Sequence, residues 1–158
     1  MDLGDITNED AIKVINKKNN YRYEKLTSDF LCEWYKTQPI NRDVVNIAKQ
    51  LKSNGYNLFV LSNMANPTYE CFKNDEFFSL CTGIIISAQE HVKKSSEKLY
   101  RILLDKFNLN ADECLFIDDD DSGKNYETAN FIGINGRRVK TNDVKDIRML
   151  LQENNINI

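Results

Sequence analysis

The sequence predicts an α/β fold, a parallel sheet with helices on both faces, and three observations carry that reading. Short apolar runs at Tyr56-Asn57-Leu58-Phe59-Val60-Leu61, Gly83-Ile84-Ile85-Ile86 and Cys114-Leu115-Phe116-Ile117 have the length and composition of buried strands. Stretches with helical spacing and recognisable ends separate these runs. Polar residues follow two of them directly, Ser62-Asn63 after the first and Asp118-Asp119 after the third. Open α/β sheets bind ligands at that end of their strands. The pattern is Rossmann-like.

Size and composition bound the rest. A chain of 158 residues fits one domain with a real core. Hydrophobic residues make up 41% and charged residues 28%, an ordinary globular balance. The 21 basic and 24 acidic side chains are scattered and leave a net charge of −3, so no basic stripe marks a nucleic-acid surface. No apolar run reaches the ~20 residues that span a bilayer, and no secretory signal opens the chain. Neither nucleic acid nor membrane is therefore an expected partner. Cys32, Cys71, Cys81 and Cys114 form no CxxC pair, and His91 is the only histidine, which argues against a zinc site. All four cysteines lie in apolar settings and read as buried, reduced thiols of a cytoplasmic protein.

The elements follow in order. Thr7 is placed to cap a helix running through Lys18, with Asp10 in the reciprocal position and Ala11, Val14 and Ile15 on one face. A second helical stretch, about 23–36, carries Leu26, Phe30, Leu31 and Trp34 as packing residues. The pattern changes at Pro39, dividing the chain into 1–38 and 39–158. Asn41 starts a helix through Leu51 that stops at Ser53-Asn54-Gly55. Asn66-Pro67 opens another, and Ser95 caps a helix from Ser96 to about Phe107. A helix over Lys124–Phe131, a short strand within 134–139 and a last helix over Val144–Gln152 complete the chain.

Three groups could carry chemistry. Four adjacent carboxylates, Asp118 to Asp121, repel one another as they leave a buried strand. A divalent cation resolves that repulsion, and magnesium commonly takes one or two carboxylates together with substrate phosphate. The plainer alternative is a solvated acidic turn or helix N-terminus. Ser62-Asn63 offers a hydroxyl, an amide and backbone N–H groups to a phosphate, although these are also common turn residues. Lys93-Lys94 precedes the helix after Ser95, and a lysine there could neutralise a bound phosphoryl group or simply stand in solvent. His91 reads as a surface or helix-entry residue.

Together these groups resemble the haloacid dehalogenase superfamily, over a span from about Gly4 to the C-terminus. In that family a strand ending in Ser/Thr-Asn binds phosphate, matched by Leu58-Phe59-Val60-Leu61-Ser62-Asn63. A lysine then opens a Lys-Pro-Asp-Pro-x-Ile-Tyr segment. Here Lys94-Ser95-Ser96-Glu97-Lys98-Leu99-Tyr100 keeps the lysine and tyrosine but neither proline. The family's Leu-Phe-Ile-Asp-Asp, followed by Asn, Ala and Gly, is matched by Leu115 to Asp119, Asn125, Ala129 and Gly133. Two more residues than usual separate the acidic pair from Asn125. Counting back from Asn125 would select Asp120-Asp121, whereas counting from the strand selects Asp118 and Asp119, the preferred pair because loops absorb insertions easily.

The resemblance implies phosphate binding by Ser62, Asn63 and Lys94, with Lys94 also catalytic, and Mg2+ held by Asp118 and Asp119. It reads 1–38 as a partial helical cap and 39–158 as the α/β core. The expected substrate is a small phosphorylated molecule, hydrolysed as a phosphomonoester through an aspartyl-phosphate. One part of the pattern is not found. The family's nucleophilic aspartate ends a first strand that lies centrally, between those ending at Ser62 and Asp118. Asp2 sits in a similar-looking Asp2-Leu3-Gly4, but Gly4 to Ala11 fits the start of a cap helix better. The expectation is therefore a phosphatase-type hydrolase without its central strand, inactive or weakly active as this chain. The alternatives are a non-catalytic phosphate and magnesium binder, or one part of a split protein whose missing strand comes from a complementing chain. A phosphorylation-receiver domain is disfavoured because its acidic pair follows the first strand and its lysine comes last, the reverse of the order here.

Overall fold

A computed structural model describes residues 1–141 and 143–158. Helix α1, Asn8–Lys18, starts on the predicted capping box: Thr7 Oγ1 accepts from the Asp10 N–H at 3.1 Å, and Asp10 Oδ2 accepts from the Thr7 N–H at 3.2 Å. It packs on α2, Glu24–Glu33, which tightens into a 3₁₀ turn at Trp34–Thr37. Of the expected packing residues Leu31 is partly buried and Phe30 stacks on Trp34, but burial is weak. Leu26 is 67% exposed, Phe30 62% and Val14 55%. Two helices can cover only one side of each other, and among the described residues nothing covers the rest.

The α/β part begins with α3, Arg42–Ser53, capped by Asn41 Oδ1 on the Asp43 N–H. Strand β1, Phe59–Ser62, is shorter than the apolar run, because Tyr56 is held by its N–H bond to Leu51 O at the end of α3. Two short helices follow, α4 at Asn66–Phe72 and α5 at Glu76–Leu80. The second was not expected; five residues give no periodicity, and its signal was Asp75, whose carboxylate accepts the Phe77 N–H. Strand β2, Gly83–Ile86, lies parallel to β1, with Phe59 opposite Gly83 and Ser62 opposite Ile86. One helical turn, α6 at Ser87–Glu90, leads towards α7, Glu97–Phe107. The cap of α7 is Ser96 rather than Ser95, through Ser96 Oγ and the Lys98 N–H.

Strand β3, Leu115–Asp118, runs one residue further than expected, making Asp118 the last strand residue. Helix α8, Lys124–Phe131, leads to β4, Asn135–Arg138, which lies parallel to β3 with Leu115 opposite Asn135. Helix α9, Val144–Glu153, closes the chain. The four strands thus form two parallel pairs, β1–β2 and β3–β4, with no ladder between the pairs among the described residues.

One core serves both pairs. Leu61 and Ile85 from the first meet Leu99, Tyr100 and Leu103 of α7, and the same cluster takes in Ala129 and Ile134 beside the second. Phe59 packs on Phe107 at 5.1 Å and Tyr100 on Phe116 at 5.3 Å between ring centroids, so α7 underlies both halves. A separate buried set, Val45, Ile47, Ala48, Leu150 and Leu151, belongs to α3 and α9. Arg148 of α9 donates to Gln50 of α3 at 3.3 Å. The cysteines are all free thiols, as expected, but none is fully buried and Cys71 stands exposed on α4. Burial pushes the Cys81 and Cys114 thiols up, away from the reactive thiolate.

This division predicts unequal responses to truncation. Leu99→Ala, inside the shared core, should lower unfolding free energy by about 2–5 kcal/mol. Leu26→Ala should stay within about 0.5 kcal/mol. Urea denaturation of both variants checks this, and an equal loss would mean that the helical hairpin is packed as tightly as the core.

Candidate functional site

Parallel strands send their carboxyl ends to a common rim. There β1 delivers Ser62 and Asn63, the loop before α7 delivers Lys94, and β3 delivers Asp118. Asn63 Oδ1 accepts the Lys94 N–H at 2.8 Å, tying the lysine loop to the end of β1. The Lys94 ammonium then pairs with Asp118 Oδ2, their side chains only 13% and 6% exposed. Asn125, in the first turn of α8, donates from Nδ2 to Asp118 Oδ1 at 3.1 Å, and the Asp120 N–H donates to the same oxygen at 2.9 Å. Below them Tyr100 Oη donates to the Asn125 carbonyl at 2.7 Å. Burial raises the Tyr100 hydroxyl far above its ordinary value, with help from the Asp118 and Asp120 charges, so it stays a donor.

The sequence-predicted residues are therefore not equivalent. Asn63, Lys94 and Asp118 form one hydrogen-bonded chain, and Ser62 is half-buried at the end of β1 beside it. Asp119 is exposed and makes no side-chain hydrogen bond among the described residues. Asp120 turns back into the loop, taking the Ser122 hydroxyl at 2.6 Å and the Asn125 N–H at 3.4 Å. Asp121 reaches outward to Arg138. Lys93 Nζ lies 3.9 Å from the Asp2 carboxylate.

Sequence reasoning missed Ser87. It is fully buried; its Oγ donates to Asp2 O at 2.5 Å and accepts the Met64 N–H at 3.1 Å, bracing the loop after β1. Its only signal was its position immediately past β2. His91, in the left-handed region at φ 55°, holds Leu3 O at 2.8 Å and Asp5 Oδ1 at 3.2 Å through Nδ1. Residues 1–6 make turns against this edge rather than a strand.

The donor inventory limits the chemistry. Lys94 carries three N–H groups and gives one to Asp118, which leaves donors for an anion. Asp118 accepts three hydrogen bonds from its four lone-pair sites, which leaves room for one cation bond. Among the described residues no group of three or more His, Cys, Asp or Glu side chains could cage a metal. Such a sparse set suits magnesium, which fills its shell with water and phosphate, better than zinc or calcium. An apolar groove of about 330 Å³, lined by residues that include Ile40, Met64, Phe72 and Phe77, lies next to the loop after β1 but holds none of this chemistry.

The Ser122 hydroxyl, and then backbone N–H groups, hold the Asp120 carboxyl below its ordinary value. A depressed carboxyl contributes stability that is complete above the unfolded value of about 3.9 and fades as pH falls through the lower folded value. Asp120→Asn removes that titration. Its urea midpoint should vary less between pH 5 and pH 2.5 (about the acid window of a carboxylate) than the parent's, and identical profiles would contradict the role given to Asp120.

Comparison with known proteins agrees with this architecture. No curated protein sequence matches the chain. A HAD-family enzyme from Bacteroides thetaiotaomicron, solved as an aspartate-to-alanine mutant with magnesium and inorganic phosphate, superposes with a TM-score of 0.74 at 16% identity, over 90% of this chain and 72% of that one. A HAD-like family hydrolase from Porphyromonas gingivalis gives 0.73 at 18% identity, over 94% and 75%. A dehalogenase gives 0.66 at 20%, over 85% of this chain and 58% of its own. At these identities the likeness establishes the fold. The family model for haloacid dehalogenase-like hydrolases matches residues 7–123, most of the sequence, and the chain belongs to that family.

Proposed function

We propose that the rim is a phosphatase-type site that binds a phosphomonoester together with magnesium. The observation that carries this reading is the buried contact between Lys94 and Asp118, made where the Ser62-Asn63 loop joins them. Ser62, Asn63 and the spare Lys94 donors would hold phosphoryl oxygens. Asp118, with Asp119 as the exposed second carboxylate, would hold magnesium, which supplies charge neutralisation on those oxygens. A relative of the same fold solved with magnesium and inorganic phosphate supports the choice of ligands. The four free thiols support a cytoplasmic setting as part of this reading.

Hydrolysis through an aspartyl-phosphate also needs a nucleophilic carboxylate in line with phosphorus. Asp2 is the candidate within residues 1–6, but its carboxylate is nearest to Lys93 rather than to Lys94. We therefore expect binding with little or no turnover. Calorimetry should detect magnesium, and Asp118→Asn should weaken it at least about 10-fold (1.4 kcal/mol). A generic phosphate ester should be hydrolysed slowly or not at all. Absence of magnesium binding in folded protein would remove the reading, and brisk turnover abolished by Asp2→Asn would overturn the expectation of weak activity.

A second reading is favoured by the two separate strand pairs: another extended segment of polypeptide completes the sheet between β1 and β3. Its support is that α7 packs under both pairs while, among the described residues, no backbone ladder joins them, and free parallel edges are strong templates for strand pairing. Fusing an apolar six-residue strand to the chain through a flexible linker should slow amide exchange in Phe59–Ser62 and Leu115–Asp118 and raise the thermal midpoint. A proline-substituted fusion should do neither. Full protection of both edges in the unfused chain would contradict this reading.

A further inference from the structure

Helix α8 begins without an ordinary cap. Its N-cap position is Gly123, at φ 79° and without a side-chain cap bond, so the first turn is held by residues other than the cap. The Ser122 hydroxyl accepts the Lys124 N–H at 3.4 Å, and two further contacts hold the backbone of Asn125. Its N–H is held by the Asp120 carboxylate and its carbonyl by Tyr100 Oη from α7. Tyr100 is fully buried and packed edge-on against Phe116, over which the Lys94 ammonium lies at 5.9 Å from the ring centroid. It lies beneath the rim, with its hydroxyl committed to the Asn125 carbonyl.

The geometry assigns Tyr100 and Asn125 as positioning residues: the Tyr100 hydroxyl sets the backbone of Asn125, whose side-chain amide then fixes the orientation of the Asp118 carboxylate. The torsion that turns a carboxylate about its Cβ–Cγ bond is soft. With Asn125 on Oδ1 and Lys94 on Oδ2, the two oxygens become distinct, and one face is presented for a cation. Without the amide, Oδ1 keeps only the Asp120 N–H at 2.9 Å, and the carboxylate can swing further towards the ammonium, which narrows that face. Partners of this kind around a metal ligand typically change metal affinity about 10–100-fold. The metal arm of the test rests on the magnesium reading; the amide arm does not.

In metal-free protein, NMR should show the Asn125 side-chain amide exchanging at least about 10-fold more slowly (1.4 kcal/mol of protection) than that of exposed Asn66. Tyr100→Phe, which keeps the ring, should abolish most of the difference. With Mn2+ as probe, electron paramagnetic resonance titration should give a loss of about 3- to 10-fold for Tyr100→Phe, and about 10–100-fold for Asn125→Ala. The double variant should bind no more weakly than Asn125→Ala alone, because the two residues act in series. Leu103→Val, a core change on the same helix, should lower the thermal midpoint yet bind Mn2+ like the parent. A slow Asn125 amide and parental Mn2+ affinity in Tyr100→Phe, or losses that multiply in the double variant, would overturn the assignment. If the parent takes up no Mn2+, the magnesium reading falls and the amide exchange alone decides the relay.

Discussion

Lys94 and Asp118 meet almost out of contact with water, and the arrangement of the rim follows from that contact. Removing two charges from water is unfavourable by several kcal/mol per ion, on the order of what their attraction returns. Such a pair persists when further hydrogen bonds satisfy both ends. Here Asn125 and the Asp120 N–H complete the carboxylate, while Asn63 fixes the lysine backbone. The pair therefore draws the ends of β1, β3, α7 and α8 to one place. It also leaves the ammonium with unused donors and the carboxylate with an unused lone pair. A site that binds an anion beside a cation needs those two vacant valences close together.

The same contact lies above an interruption in the sheet. Helix α7 offers one apolar surface to both strand pairs, through Leu99, Tyr100 and Leu103, yet the pairs share no ladder among the described residues. Side-chain packing and one buried ion pair link the halves, without the backbone bonds that normally make a parallel sheet cooperative. The helical hairpin at the N-terminal end is looser still, with Leu26 and Phe30 in solvent. Stability and chemistry are thus concentrated on the side where α7 and α8 meet the strand ends.

Much of this was legible in the sequence because the α/β part follows strong local rules. Apolar runs located all the major strands to within a few residues, and Gly83–Ile86 and Lys124–Phe131 have the bounds expected. The strand-end rule placed Ser62, Asn63 and Asp118 on one rim, since parallel strands leave little freedom in where their ends lie. What failed was information that is tertiary. Helical spacing in 23–36 shows which residues share a face but not whether anything covers it. Single-turn helices such as Ser87–Glu90 are too short for periodicity, so Ser87 passed unnoticed. Resemblance marked Tyr100 and Asn125 as matching positions, but only the fold shows one holding the other. Adjacent aspartates look alike in sequence, whereas a strand end, an exposed position, a loop turn and an outward pair give Asp118 to Asp121 four different environments.

The most direct test of the central claim is a crystal structure of the chain grown with Mn2+ and inorganic phosphate, with anomalous scattering recorded for the metal. The account predicts one manganese peak bonded to Asp118, with phosphate between the Ser62-Asn63 loop and the Lys94 ammonium. Manganese at another part of the surface, with Lys94 and Asp118 still paired and no phosphate beside them, would contradict it.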